Sequence, residues 1–250
     1  MGTVVRCLGC SLVSMVGGDG DLVRCAYDED YYRRAGAPGP GYGDYFGAEA
    51  EARRQISSTL ADVVLALAPV AQRVLDLGCG GGFLVNELAK RGIAATGVDG
   101  SRHVIERARE SVGGGSFLHA DIGAPCVAAR ASFDVITMID VIEHLPDPVA
   151  ALRQAASLAA PGGVIVLLTP RYGDRLLAEQ GAAYVHFNSD HMYYFTEETL
   201  RAVIAQGTGQ CTIDVEDVLV LAREREVDVP ASMARKYTVE RESMLAVVRL

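Results

Sequence analysis

The sequence predicts a doubly wound α/β domain, on three observations. Short apolar strands alternate with amphipathic helices from Arg73 onward. The first of these strands runs into a glycine-rich turn, Gly78 to Gly82, and acidic residues close the strands that follow. Repeated strand–helix–strand units imply a parallel sheet with right-handed crossovers. In such a sheet ligands collect outside the carboxyl ends of the strands, where the strand order reverses.

The elements follow in order. Residues 1–47 form an N-terminal segment of scattered Gly, Pro and Tyr, in which Pro38-Gly39-Pro40-Gly41 interrupts any regular element. The main domain takes residues 48–250. Its first helix spans Ala48 to Ala68, with Ile56, Leu60, Val63, Val64 and Leu67 on one face, and Pro69 ends it. Arg73–Leu77 is the first strand and Phe83–Arg91 a helix closed by Gly92. Ala94–Val98 is the second strand, and Ser101 caps a helix to about Ser111. Ser116–Ala120 is the third strand. The fourth, Phe133–Ile139, is almost wholly apolar, as a central strand buried on both faces should be. A helix over Ala150–Ala159, a turn at Pro161-Gly162-Gly163 and a fifth strand over Val164–Leu168 come next. An irregular insertion of about 170–195 leads to Thr196, which caps a helix to about Gln206. Thr212–Leu219 and Met244–Leu250 are the last strand candidates.

Composition narrows the partners. The 250 residues carry a formal net charge of -9 and no dense Lys/Arg run, which argues against nucleic acid or an anionic membrane as a partner. The longest apolar runs are strand-sized, and the N-terminus lacks the apolar stretch of a signal peptide. Six scattered cysteines do not form a disulfide framework. The chain therefore reads as cytoplasmic, with reduced thiols.

Four strand ends carry the site. Glycines after Leu77 let the backbone approach a ligand. Asp99, at the second strand's end, suits a ribose diol. Asp121 can accept from an adenine amino group while the Ile122 N–H donates to the ring. Ile139-Asp140 closes the fourth strand across the switch point. Together these predict a nucleoside-containing ligand. A dinucleotide fingerprint needs a third glycine, and Phe83 stands there, although Gly78 and Gly80 match. Asp76, just before the turn, opposes a pyrophosphate and suits a ligand carrying an ammonium and a sulfonium. A nicotinamide-dependent oxidoreductase remains the rival enzyme, and a cofactor-binding module without turnover the rival non-enzyme.

The run Val74 to Gly82, with Gly97-Val98-Asp99, Asp121, Phe133-Asp134-Val135-Ile136 and Pro161-Gly162-Gly163, resembles the class I S-adenosylmethionine-dependent methyltransferases over about Arg73 to Gln206. The resemblance implies a Rossmann-like sheet of seven strands, mostly parallel, ending in an antiparallel pair. It implies S-adenosyl-L-methionine as cofactor and S-adenosyl-L-homocysteine as product. Gly78, Cys79 and Gly80 would line the methionine and ribose, and Asp76 would orient the amino end. Asp99 with Gly100 would hold the ribose, and Asp121 and Ile122 the adenine, with Ile139 beside them. The acceptor would be a small molecule of specialised metabolism, taking the methyl on oxygen first, or on nitrogen or carbon.

Methyl transfer from a sulfonium asks the protein chiefly for attack geometry, and for a base when the acceptor must lose a proton. His144 and His191 are the candidate bases. For His144 the competing reading is a residue that shapes its loop, and for His191 one that packs the lid. The stretch Asp140 to His144 also resembles the Glu-Val-x-Glu-His pattern of ubiquinone-pathway O-methyltransferases, where these positions are linked with a divalent metal. Asp140, Glu143 and His144 fall on them, with Asp in place of the first Glu; metal-free relatives carry similar residues, so no metal is expected. Tyr184, His186, Tyr193 and Tyr194 in the insertion are candidate acceptor contacts. Tyr42 and Tyr45 are the N-terminal aromatics placed to reach the cofactor. Finally, Cys7 and Cys10 resemble the second half of a zinc ribbon. Cys25 alone cannot complete the four ligands, so a degenerate remnant without zinc is expected.

Overall fold

The computed structural model describes residues 3–16, 31–32, 43–122, 132–173, 181, 184, 187, 190–210, 212–233 and 243–250. Strands β1 (Thr3–Arg6) and β2 (Val13–Val16) open the chain, followed by helix α1 (Ala50–Leu67). Then come β3 (Arg73–Leu77), α2 (Phe83–Lys90), β4 (Ala94–Asp99), α3 (Arg102–Ser111), β5 (Ser116–His119) and β6 (Phe133–Ile139). A short 3₁₀ turn, Ile142–His144, leads to α4 (Pro148–Leu158) and β7 (Ala159–Pro170). The chain closes with β8 (Tyr193–Tyr194), α5 (Glu197–Thr208), β9 (Ile213–Glu216), α6 (Val218–Glu224) and β10 (Ser243–Arg249).

Seven strands form the main sheet in the order β5-β4-β3-β6-β7-β10-β9. Strands β3 to β7 pair in parallel, and β10 pairs antiparallel with both β7 and β9. The chain runs outward from β3 to β5 and returns to β6 beside β3, so the switch point lies between the carboxyl ends of β3 and β6. This is the predicted doubly wound sheet with its antiparallel end.

Alternating side chains feed two cores. From β3 and β6, Val74 and Val135 join α1, α2 and α3 on one face. Leu75, Leu77, Ile136 and Met138 join α4 and α5 on the other. Val135, Ile136 and Met138 are fully buried, because β6 is central and covered on both sides. Helix ends follow local chemistry. Ser101 accepts from the Val104 N–H, Asp147 from Ala150, and Thr196 forms a capping box with Thr199.

Three readings need correction. Val218-Leu219 lie in α6 and not in a strand, because Asp217 accepts from the Leu219 and Val220 N–H groups and starts a helix there. Pro161-Gly162-Gly163 lie within β7, which begins at Ala159 and absorbs them in a register shift opposite Phe133 and Val135. The insertion also holds a strand. β8 pairs with β2, which pairs with β1, making a second sheet of three strands. No helix among the described residues is long and apolar enough to cross a membrane.

Ile136→Ala should lower the unfolding free energy by about 2–5 kcal/mol, because the void lies in a central strand that cannot collapse. A fall in urea midpoint at unchanged m-value checks this.

Candidate functional site

The glycine turn is shaped by the backbone before any ligand is considered. Gly78 and Gly80 have φ of 77° and 49°, a left-handed region that β-carbons disfavour. A Cβ on Gly80 would stand 2.6 Å from the Tyr45 hydroxyl. The turn is held from β4: the Val98 carbonyl accepts from the Gly78 and Cys79 N–H groups at 2.8 and 3.0 Å. Asp99 completes the hold, its Oδ2 accepting from Gly80 N–H at 2.9 Å and its Oδ1 from Ser101 N–H at 2.8 Å. Each oxygen keeps a further lone pair.

A cavity of about 840 Å³ opens over this turn. Asp76, Gly78, Cys79, Gly80, Asp99, Gly100, Asp121, Ile122 and Ile139 all line it. Its size suits a small molecule or cofactor. Burial pushes the Asp76 carboxyl up to about 7, against the Thr137 hydroxyl, which donates to it at 2.6 Å, and with the Asp99 charge adding to the rise. Burial also raises Asp99, although its Ser101 and Gly80 donors favour the charged form. Two desolvated carboxyls on one floor favour a ligand bringing positive charge or hydroxyl donors. Burial and the same acids push the Cys79 thiol well up, so it stays protonated and is no nucleophile.

Sequence reading missed two wall residues. Arg53, on α1, lines the cavity with its guanidinium 4.0 Å over the Tyr45 ring. His119 also lines the cavity and contacts the Gly100 carbonyl at 3.1 Å. The helical period marked the apolar face through Ile56 and Leu60, and gave no signal for Arg53. Tyr45 reaches the turn, accepting from the Gly81 N–H at 3.2 Å. Tyr31 and Tyr32 also line the cavity, and Tyr42 lies outside the described residues.

At the far end the cavity meets His144, Leu145 and Pro146. The Asp190 carbonyl lies 2.9 Å from His144 Nδ1. A carbonyl only accepts, so Nδ1 carries the proton, and in the neutral ring Nε2 has the lone pair. His191 stacks edge-on to His144 at 4.7 Å between ring centroids and does not itself line the cavity. Glu143 is buried behind them. Its Oε2 accepts from the Thr169 hydroxyl at 2.8 Å, while its Oε1 has no hydrogen-bond partner among the described residues and lies 3.9 Å from His144 Nε2. Burial pushes this carboxyl up to about 7, opposed by His144 and aided by the Asp140 charge. Asp140, at φ 53°, holds a strained turn at the strand end.

One atom each from Glu143, His144 and His191 lie within 4.8 Å of one another. The orphan carboxylate oxygen and two imidazoles fit a small divalent cation. The set differs from the one the resemblance implies, because His191 from the insertion stands where Asp140 was expected.

The remaining insertion residues lie elsewhere. Tyr184 and Tyr194 pack with Val13 and Tyr172 in a separate small core, and the Tyr184 hydroxyl donates to the Arg171 carbonyl. Tyr193 donates to the Pro146 carbonyl at 3.0 Å. None of these three lines the cavity: Tyr184 and Tyr194 pack in the small core and Tyr193 packs against the main core beside Phe195. His186 lies outside the described residues.

A family model described as a methyltransferase domain matches residues 50–209. The chain belongs to the methyltransferase-domain family. A ubiquinone biosynthesis O-methyltransferase from Ralstonia nicotianae is 37% identical over 138 residues, covering 52% of this chain and 58% of that protein. One from Albidiferax ferrireducens is 36% identical over 132 residues, covering 48% and 50%. This chain thus spans about half the length of the curated relatives it matches. Among solved structures, a SAM-dependent methyltransferase from Archaeoglobus fulgidus shares the fold at a TM-score of 0.59 and 17% identity, covering 82% of this chain and 99% of that one. The plantazolicin methyltransferase BamL, solved with a triazolic desmethylPZN analog and SAH, does so at 0.60 and 16%, covering 82% and 87%.

Asp76 binds its proton more tightly folded than unfolded, so its stabilisation is present below about pH 4 and lost as the pH rises through about 7. Relative to Asp76→Asn, the ligand-free native protein should therefore lose stability across that window. Paired thermal melts of the two proteins between pH 4 and 8 check it.

Proposed function

We propose that this protein transfers a methyl group from S-adenosylmethionine to a small-molecule acceptor. One observation carries the proposal: Asp76, Asp99 and Asp121 converge on a glycine turn in a single cavity that ends at His144. Membership of the methyltransferase family favours this over the nicotinamide reading, and Phe83 in place of a third fingerprint glycine agrees.

When bound, the cofactor supplies an activated methyl on a sulfonium, with its own leaving group. The chain's residues bind and orient. Asp99 offers its outer lone pairs to the ribose hydroxyls, and Asp121 with the Ile122 N–H meets the adenine. Asp76 takes the ammonium, which favours its ionised form. Arg53 is the wall cation suited to the carboxylate. Leu145 and Pro146 give the far end an apolar lining. His144 Nε2 accepts the proton that the acceptor gives up, and the Asp190 carbonyl steadies the resulting imidazolium. The acceptor is a hydroxyl compound first, an amine or carbon acid next.

The orphan Oε1 of Glu143 favours a second arrangement. Glu143, His144 and His191 would hold a divalent cation, which would supply Lewis-acid activation of the acceptor oxygen. His144 would then be a ligand and not the base.

Asp99→Ala should weaken S-adenosylhomocysteine binding about 10–100-fold, as charge-assisted hydrogen bonds worth about 1.5–3 kcal/mol are lost. Calorimetry checks it, and unchanged affinity would remove the site. In the native protein, affinity for S-adenosylmethionine should rise with pH through about 7 as Asp76 ionises. Asp76→Asn should abolish that rise. His144→Ala should lower turnover by about 100-fold or more with cofactor affinity within twofold. Full turnover in an acceptor screen would return His144 to a loop role.

A further inference from the structure

His144 is tied to the N-terminal segment through a residue of the insertion. Tyr31 donates its hydroxyl to Asp190 Oδ2 at 2.7 Å. Asp190 in turn sets its main-chain carbonyl 2.9 Å from His144 Nδ1. Three residues far apart in sequence thus form one run of hydrogen bonds, ending on the ring that meets the cavity.

Both outer members of the run are held in place. Tyr31 is buried, and its ring meets Tyr32 edge-on at 5.2 Å between centroids. Tyr32 meets Tyr45 edge-on at 5.2 Å, and its carbonyl accepts from the Tyr45 N–H at 3.3 Å. Tyr45 is fastened to the glycine turn through the Gly81 N–H. The Tyr31 hydroxyl therefore sits on a packed aromatic arm with little rotamer freedom. On the other side, Met192 N–H donates to the Glu143 carbonyl at 2.8 Å, and the Met192 carbonyl accepts from Met15 N–H at 2.9 Å. The insertion is thus fixed at Met192 by backbone bonds and at Asp190 by Tyr31.

Asp190 is an expensive residue to keep there. It is 2% exposed, and its Oδ1 has no hydrogen-bond partner among the described residues. A buried carboxyl with an orphan oxygen costs stability. An apolar side chain would fill the space without that cost, so packing alone does not account for the acid.

We propose that Tyr31 and Asp190 are positioning residues for His144. Tyr31 holds the Asp190 carboxyl. The Asp190 carbonyl then keeps the ring proton on Nδ1, and Nε2 retains the lone pair that receives the acceptor's proton. The proposal rests on the reading of His144 as the base, and both residues act through its ring. Without the Tyr31 hydroxyl, the Asp190 carboxyl has no hydrogen-bond donor among the described residues. It then turns toward water and draws the carbonyl off the ring. The ring is free to flip or change tautomer, and the fraction in attack geometry falls.

The test compares the full chain with Tyr31→Phe, Asp190→Ala and His144→Ala. Long-range proton–nitrogen spectra read the histidine tautomers, with the His144 signals assigned by their loss in His144→Ala. The native neutral ring should carry its proton on Nδ1. Tyr31→Phe and Asp190→Ala should each show a mixture of the Nδ1 and Nε2 forms. With an acceptor found by screening, Tyr31→Phe should lower kcat about 10-fold and Asp190→Ala about 10–100-fold, with acceptor KM within about threefold and S-adenosylhomocysteine affinity within about twofold. Adding Asp190→Ala to His144→Ala should cost no further turnover, whereas a merely structural role would cost the same in both backgrounds. Tyr31→Phe removes a single oxygen, so it decides the matter even where Asp190→Ala does not fold. A native ring protonated on Nε2, an unchanged Nδ1 form in Tyr31→Phe, or an equal loss from Asp190→Ala with and without His144 would each overturn the proposal. Full turnover in His144→Ala beside a mixed tautomer in Tyr31→Phe would instead remove the base reading and leave the positioning intact.

Discussion

The hold that Asp99 keeps on two backbone N–H groups is the constraint from which the site is built. The carboxylate joins the glycine turn after β3 to the start of α3 after β4, through Gly80 and Ser101. Those two strands are neighbours in the sheet, so one side chain fixes the relative position of both loops. The acid is desolvated for this purpose, and burial works against its charge. Its two donors compensate in part, and a ligand that donates hydroxyls completes the compensation. Everything else on the cavity floor, including Asp76 on the adjoining strand, is placed relative to that clasp.

Most of the main sheet was legible because its signals are local. Apolar runs of strand length, a capping Ser or Thr and a glycine bend are each read within a few residues. The strand-end acids were legible for the same reason: topology alone brings carboxyl ends together at a switch point. The misread segments share one cause. Val218 and Leu219 look like strand because they are apolar, and only the Asp217 cap marks them as helix. The Pro-Gly-Gly run looks like a turn, and only its pairing with β6 makes it strand.

The acceptor end was less legible because long-range contacts build it. Tyr31 donates to Asp190 across 159 residues at 2.7 Å, and the Asp190 carbonyl meets His144 across 46. No periodicity encodes such pairings. The aromatic residues of the insertion were visible as a group, but which faced the cavity depended on β8 joining β2. That pairing turns Tyr184 and Tyr194 into packing residues and leaves His191 beside His144.

The order of strands has a consequence for how the chain is made. β10, residues 243–249, lies between β7 and β9 in the finished sheet. Until it emerges from the ribosome, β7 offers one open edge along apolar residues such as Ile165, Val166 and Leu167. Such an edge invites pairing with a foreign strand. The sheet of a nascent chain is thus sealed only once β10 has been made, and a product interrupted near residue 209 would expose a sticky edge to its neighbours.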